Sequence, residues 1–508
     1  MNAHELPILL DRTSTLPLAA QLAEALRRAI LDGTLKHDDP VPSSRTLAAS
    51  VRVSRGTVVA AYDQLVGEGY LLARPGSATR ILVERPTPVA TAAAPARGST
   101  PAPSARRPAT AGSPDAAPAA DGAPVRAATR QPALIDLSPG RPSSRTLADA
   151  AWTSAWRAAL AGPVANAVPP PLGEPGLRAA IAENLRRVRG LNCSADDVIV
   201  TAGTSDALAC IGLALASPTE PPRVAVEDPG YPAARRVLSR VGAQLVPVAT
   251  GPNGLEPATL AELSPAPHAV LVTPSHQYPL GGSLPVQSRL DLLEWARQAG
   301  AIVIEDDYDS EFRYDTMPLP AVASLDTDAR VALVGSFSKT VTPWIRCGYI
   351  VAAGDVGERL RAVRRDLGSP VSGVQQLALA HYLRSGGLAR NVARVRREYA
   401  HRRALVIDRL GAVPGVRLAG LDGGLHVVVH VDPATGPDAS ALVAGAAARG
   451  VRVASLAEYA VLDRGQHGLV LGYGAPTDLE LVRALDVLAG LLTAPVGASF
   501  AEIPPSIS

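Results

Sequence analysis

Of the 49 basic residues in this chain only two are lysines, Lys36 and Lys339. Positions that need only positive charge have been filled with arginine, and a guanidinium cannot form an imine with a carbonyl whereas a lysine amine can. Lys339 lies in Gly335-Ser336-Phe337-Ser338-Lys339-Thr340, directly after the apolar run Val331 to Val334. A second apolar run, Ile302 to Ile304, leads into Glu305-Asp306-Asp307-Tyr308, and Trp344-Ile345-Arg346 follows the lysine segment. With both runs as strands, an amine, a carboxylate, a phenol, hydroxyls and a guanidinium converge on one rim. Pyridoxal phosphate needs that set: an amine for its aldehyde, an acid for its ring nitrogen, a donor for its phenolate oxygen and anion binders for its phosphate. Taken singly, the residues keep plainer readings: Asp306 and Asp307 as acids entering a helix, Ser338 as a turn cap, Lys339 as a lysine retained by chance.

The elements that must hold these groups follow from the pattern of apolar runs. Val198 to Thr201, Val224 to Val226, Leu245 to Val248, Val270 to Val272, Ile302 to Ile304, Val331 to Val334 and Tyr349 to Val351 alternate with helical patterns. This predicts an α/β domain with a mostly parallel sheet covered by helices and ligands at the C-terminal strand ends. The segments HVVVHV, VRVASL and GLVLGY, followed by a helix, predict a smaller α+β part at the end of the chain.

The N-terminal region has a different character. Leu18, Leu22, Ala25, Leu26, Ala29 and Ile30 recur at helical spacing, and Gly33 marks a stop. A short helix around Leu47 and Val51 follows Pro42 and Ser43-Ser44, and Ser54 can cap another that carries Val58, Ala61, Tyr62, Leu65 and Val66. Two short helices so close make a helix-turn-helix, although small helical bundles share the pattern. Tyr70 to Arg74 and Thr79 to Val83 flank Pro75-Gly76-Ser77, a hairpin signal where a wing would lie. Residues 1–42 carry four basic and six acidic side chains, 43–85 carry six and three, and 86–130 carry five and two, so positive charge gathers from residue 43 onward. An ordinary solvated face would account for an excess of that size as well.

Between the two regions, about Pro86 to Gln131 is alanine, proline, glycine, serine and scattered arginine without an aromatic residue. Such a segment cannot bury a core and is expected to be a disordered linker. The domain expectation is therefore residues 1–85 for the winged helix, 86–132 for the linker and 133–508 for the large domain. Cys193, Cys210 and Cys347 form neither a C-x-x-C pair nor an even set, so no disulfide framework and no zinc site is expected and the cytoplasm is the natural compartment. No stretch approaches the ~18 apolar residues of a membrane helix.

Two resemblances add roles to these positions. PSSRTLAASVRVSRGTVVAAYDQLVGEGYLLARPGSATRI resembles the GntR-family winged helix, through PSSR-x-LA, VSR-x-TV, AY-x-x-L and EGY. The likeness implies double-stranded DNA as a partner. Arg45 would reach phosphate or a base edge, Ser54, Arg55 and Thr57 would open the recognition helix in the major groove, and Gly76 and Ser77 at the wing tip would approach the neighbouring minor groove. This chain has His37-Asp38-Asp39-Pro40-Val41 where the family commonly reads PG-x-x-L, so the turn before Pro42 is expected to differ.

EDPGY, TPSHQYP-x-G, EDDYDSEFRY and G-x-FSKT resemble the MocR/GabR regulators, whose C-terminal domain is similar to fold-type I aminotransferases. The resemblance implies that Lys339 holds pyridoxal 5'-phosphate as a Schiff base, Asp306 holds the pyridinium proton and Tyr308 donates to the ring oxygen. Tyr231 would stack on the ring, although plain core packing is its other reading. Ser336, Ser338 and Arg346 would hold the phosphate with the helix N-terminus after Gly203-Thr204-Ser205. That tripeptide departs from the G-x-QQ common in the family, and Tyr278-Pro279-Leu280-Gly281 replaces the NPTG whose asparagine touches the ring oxygen.

The same lysine serves a regulator answering to an amine, an amino acid or pyridoxal phosphate itself, and an active aminotransferase that carries a DNA-binding head. The position where aminotransferases place a carboxylate-clamping arginine is Val470, which favours the regulator with weak or no turnover, with Arg235 or Arg394 as substitute clamps. The likeness further implies a homodimer, with each DNA-reading head packed on the partner's large domain.

Overall fold

The computed structural model describes residues 18–67, 70–72, 79–83, 134–145, 147–162, 166–314, 320–432, 436–462 and 467–493, with residues 8, 10–12 and 465 besides. The expected linker, 86–132, and the wing tip with Gly76 and Ser77 lie outside the described residues.

The N-terminal head is built from helices Leu18–Leu31, Ser44–Ser50 and Arg55–Gly67 and the strand pair Leu71–Leu72 with Arg80–Ile81. Leu22, Ala23, Leu26, Ala29 and Ile30 form the inner stripe of the first helix. Ala23 takes the place that the periodicity assigned to Ala25, because the stripe drifts around a 3.6-residue helix. Val58, Ala61, Tyr62 and Leu65 close the core from the third helix, while Val66 is turned outward. Ser43 and Ser54 accept the Thr46 and Thr57 amides at 3.2 and 3.1 Å, so each short helix has a side-chain cap worth about 1 kcal/mol. The atypical His37–Val41 turn becomes part of the wing: Asp38 N donates to Ile81 O, Ile81 N to Asp39 O and Val41 N to Thr79 O at 2.9–3.0 Å.

The body carries an eight-stranded sheet in the order Val198–Thr201, Gly348–Val351, Val331–Ser336, Ile302–Asp307, Ala269–Val272, Arg223–Asp228, Gln244–Gly251, Gly254–Leu255. All seven expected strands are present. Gly348–Val351 runs antiparallel to both neighbours, the short Gly254–Leu255 closes an antiparallel edge, and the rest are parallel. Helices cover both faces over cores that include Ile181, Leu185 and Leu379 on one side and Leu208, Ile211 and Leu360 on the other.

A four-stranded antiparallel sheet, Val416–Ala419, His426–Val431, Gly468–Gly472 and Ala454–Ser455, forms the smaller part. Ile135–Asp136, the first strand of the body, pairs in parallel with Val451–Arg452, so the chain enters the body beside its last strands. Cys193, Cys210 and Cys347 are all buried and unpaired. Among the described residues no helix is long and apolar enough to cross a membrane.

The head core continues onto the body through Val286, Leu290 and Leu325. Beneath that patch lies Arg289, with no exposed surface. Its guanidinium donates to Leu284 O at 2.8 Å, Pro274 O at 2.6 Å and Pro320 O, and burial lowers its pKa to about 10 despite the opposing charge of Glu305.

Candidate functional site

A cavity of about 640 Å³ opens at the C-terminal ends of the parallel strands, the location that an open α/β sheet offers to ligands. Its wall includes Gly203, Thr204, Ser205, Tyr231, Asp306, Tyr308, Ser336, Ser338, Lys339 and Arg346. These are the ten residues assigned to cofactor contact from the sequence. They come from five segments spread over more than 140 positions, and the sheet brings them together.

Strands Ile302–Asp307 and Val331–Ser336 are parallel neighbours with Val334 opposite Asp306 and Gly335 opposite Asp307. Asp306 and the Ser336-to-Lys339 turn therefore end at the same level. The Lys339 ammonium donates to Gly140 O, and burial lowers its pKa, with Asp309 and Asp306 opposing. Asp306 is 4% exposed, and its Oδ1 has no hydrogen-bond partner among the described residues. Burial, then the charges of Asp307 and Asp309, push its carboxyl to about 7. Glu227, buried behind Thr273, is likewise raised to about 7 by burial, with the Thr273 hydroxyl and amide opposing at 2.6 and 3.1 Å. An orphaned carboxylate facing a half-buried amine is costly without a ligand and suits a cationic ring nitrogen.

At the same rim, helix Thr204–Leu215 starts from Gly203 at φ +90° without a side-chain cap, which leaves its first amides facing the cavity. Ser336 Oγ donates to Ser338 Oγ at 2.9 Å and accepts the Ser338 amide at 3.1 Å. Arg346 is held at φ +40°, an uncommon conformation for a side-chain-bearing residue. Two hydroxyls, free amides and a guanidinium make an anion site of the kind a phosphate fills. Tyr231 stands edge-on to Tyr278 with centroids 5.7 Å apart and remains 36% exposed toward the opening.

Gly140, Arg141, Arg145, Thr273 and His426 on the wall were not picked out from the sequence, and Tyr278 and Trp344, which stand in motifs that were, had been given no contact with a ligand. The SPGRP run after the first strand was the available signal, because a Gly-Arg turn there feeds backbone and charge toward the sheet ends. His276 stands in the TPSHQYP motif, yet nothing in its spacing shows its partners. His276 Nδ1 lies 3.0 Å from Asp309 Oδ2, and His426 Nε2 donates to Pro279 O at 2.9 Å. These three side chains bring ligand atoms within 4.8 Å of one another, although the contacts are those of hydrogen bonds. Burial lowers His426 to about 4, so its ring is neutral.

Val470, at the clamp position, is buried against Val428, Leu456 and Tyr459 and does not line the cavity. The suggested substitutes fall elsewhere. Arg235 donates to Gly230 O and Tyr459 O at 3.2 and 2.8 Å, and Arg394 meets Asp149 at 3.3 Å. The guanidiniums on the cavity wall are Arg141, Arg145 and Arg346. Arg141 is paired with Asp136, and Arg145 sits 3.4 Å from Glu480.

In the head, Arg45 and Arg55 are exposed at the starts of the second and third helices, Ser54 caps the third, and the Thr57 hydroxyl meets Ser54 Oγ at 2.9 Å. Arg55 Nε approaches Ser44 Oγ at 3.3 Å.

Fold and cavity together define an aminotransferase-like ligand-binding body joined to a helix-turn-helix head. Residues 132–467 match the model for aminotransferase class I and II, and residues 18–81 match bacterial regulatory proteins of the gntR family. The chain belongs to the MocR-type HTH transcriptional regulators of the gntR family. It is 40% identical to the HTH-type pyridoxine biosynthesis transcriptional regulator PdxR of Corynebacterium glutamicum, over 93% of this chain and 95% of the relative. It is 33% identical to the probable rhizopine catabolism regulatory protein MocR of Rhizobium meliloti, over 92% of each. Among solved structures, Pyrococcus horikoshii kynurenine aminotransferase in complex with PMP superposes with a TM-score of 0.64 at 23% identity, covering 70% of this chain and 90% of its own.

Proposed function

We propose that this regulator binds pyridoxal 5'-phosphate in the cavity, and that the cofactor, alone or joined to an amine, biases how the head engages double-stranded DNA. The observation that carries this reading is the meeting of Lys339, the orphaned Asp306 carboxylate and the hydroxyl, amide and guanidinium cluster on one wall. Such a cofactor supplies an aldehyde that captures amines and a ring that withdraws electrons. In this reading Lys339 bonds the aldehyde, Asp306 keeps a proton on the ring nitrogen, and Tyr308 donates to the ring oxygen. Tyr231 covers one ring face. Ser336, Ser338, Arg346 and the amides of Thr204 and Ser205 hold the phosphate.

The regulatory half of the reading rests on family membership and on Val470. With no arginine at that position an α-amino acid lacks its bidentate partner and is poorly oriented, so turnover is slow or absent. The ligand must then bind two arrangements of the molecule unequally, since equal binding shifts nothing. Arg45, Arg55 and Thr57 read the DNA, with Ser54 fixing the helix start and Gly76 and Ser77 reaching the backbone. A homodimer is part of this reading: Trp344, 93% exposed at the cavity rim, is an unusual side chain to leave in water.

The test is DNA binding at the protein's own promoter, with and without pyridoxal phosphate, for the unsubstituted chain and for Lys339→Ala. We expect visible absorbance on loading the first, none for the second, and a DNA response that disappears with it. A Lys339→Ala chain that still responds normally to the cofactor would overturn the reading. Amino-acid and keto-acid conversion at ordinary enzyme rates would replace regulation with the aminotransferase alternative.

A further inference from the structure

Behind Tyr308 lies a buried pair that the proposed function does not use. His276 and Asp309 are each 1% exposed. The Tyr308 hydroxyl is 2.9 Å from the His276 carbonyl and 3.0 Å from its Nδ1, with the two rings nearly stacked at a centroid separation of 6.0 Å and 27° between planes. On its other nitrogen the imidazole faces Gly420 O at 3.3 Å, while Nδ1 faces Asp309 Oδ2 at 3.0 Å. A carbonyl and a carboxylate only accept hydrogen bonds, so a ring that satisfies both carries a proton on each nitrogen.

We propose that His276 and Asp309 form a buried imidazolium–carboxylate pair that positions Tyr308 and lends positive charge to its hydroxyl, and through it to the ring oxygen of the bound cofactor. The inference rests on the cofactor reading above, and it makes His276 a positioning residue that acts through Tyr308.

Three features support it. Tyr308 has one proton, now directed to the His276 carbonyl, while its oxygen also faces Nδ1. When an acceptor oxygen arrives from the cavity, the proton can turn to it, and the phenol oxygen shares the Nδ1–H with Asp309 Oδ2. Hydrogen bonds chained in this way strengthen one another. Second, the small domain closes on the pair: Gly424 has φ +70°, and a Cβ there would overlap both Asp309 Oδ2 and His276 Cε1. Water is excluded, and charge acts at its strongest in such a place. Third, residue 278 offers no amide to the ring oxygen. Tyr278 stands edge-on to Tyr308 at 5.6 Å, and its own hydroxyl is hydrogen-bonded to Tyr459.

The polar groups facing the pair are consistent with a single charge on the imidazole. His426, with its ring centroid 5.0 Å from that of His276, is neutral. Arg313 on the adjoining turn donates to Ser275 O and Ser283 Oγ, both at 2.8 Å, and senses the charge of Asp309. Asp309 Oδ1 has no hydrogen-bond partner among the described residues, so the carboxylate's electrostatic partner is the imidazole and, more distantly, Lys339 and Arg313.

The readout is the pH at which the visible absorbance of the pyridoxal-phosphate-loaded full chain changes. Stabilising the ring oxygen's charge weakens its hold on the proton at the Lys339 nitrogen, so losing the pair should raise that midpoint. We expect a rise of about one pH unit, a tenfold change in proton affinity, for His276→Phe. His276→Gln retains a neutral donor and should move the midpoint less. A midpoint unmoved in a coloured His276→Phe chain would overturn the proposal. The wild type provides a second test that needs no stable Phe variant: ¹⁵N-histidine spectra near neutral pH should show both ring nitrogens of His276 protonated, with the signals assigned by their loss in His276→Gln. A singly protonated ring would also defeat the proposal. A wild type that takes up no colour defeats the cofactor reading instead, and the nitrogen spectra still decide the pair.

Discussion

At Asp306 stability and ligand binding pull in opposite directions, and the size of the conflict can be worked out. The carboxyl is raised from 3.8 to about 7, burial being the main cause. Below pH 3.8 the folded and unfolded chains both hold this proton. Between there and pH 7 the unfolded chain releases it while the folded chain keeps it, so stability falls as pH rises. At 1.36 kcal/mol per pH unit the whole loss is about 4 kcal/mol, of which about 2 kcal/mol falls between pH 5.5 and 8. An Asp306→Asn chain escapes it. Free of cofactor, that variant should gain on the unsubstituted chain by about 2 kcal/mol over this pH interval. Urea denaturation followed by tryptophan fluorescence will read the difference, because Trp152, Trp156, Trp295 and Trp344 all lie in the body. The raised carboxyls of Glu227 and Glu311 are present in both chains and cancel to first order. Added pyridoxal phosphate should reverse the order, since only the unsubstituted chain offers the ring nitrogen a carboxylate. A stability difference that stays constant from pH 5.5 to 8 would refute the account of a buried charge awaiting a ligand.

Three further outcomes are expected. Arg55→Ala should weaken binding to the native promoter by about 1–3 kcal/mol and reduce its sequence preference, whereas an Arg45→Ala loss that is uniform across sequences would place Arg45 on phosphate; fluorescence anisotropy at two salt concentrations separates these. Arg289→Met leaves three carbonyls and Glu305 without their buried cation and should cost about 3–5 kcal/mol, read by chemical denaturation. Gly281→Ala places a Cβ onto the Gly420 backbone at φ +82°, where neither chain can give way, and should lower the melting temperature of the body sharply, with a loss above about 2 kcal/mol.

Much of this molecule follows from local chemistry. Short apolar runs bounded by polar residues marked all seven expected strands, because a strand buried on both faces must be apolar along its length. Ser43 and Ser54 announced their helices, because an oxygen one residue ahead of a helix satisfies an amide that would otherwise be left bare. The scarcity of lysine singled out Lys339, and the carboxylate, phenol and hydroxyls at predicted strand ends pointed to one rim before any distance was known.

What needed the tertiary structure is whatever depends on segments far apart in the chain. His276 meets Asp309 across 33 positions and Gly420 across 144, so no periodicity could report that its two nitrogens face two acceptors. Arg235 and Arg394 were plausible clamps as letters, and only packing shows that their guanidiniums are committed to Tyr459 and Asp149 instead of the cavity. The partnerless Asp306 oxygen likewise emerges only once the sheet has closed around it. Residue types and spacing determined the elements and the set of reactive groups at the strand ends, since those depend on side-chain character and backbone period. Solvent exclusion and the pairing of distant donors with acceptors were decided by the folded sheet, because burial is a property of neighbours that the chain meets only after it has folded.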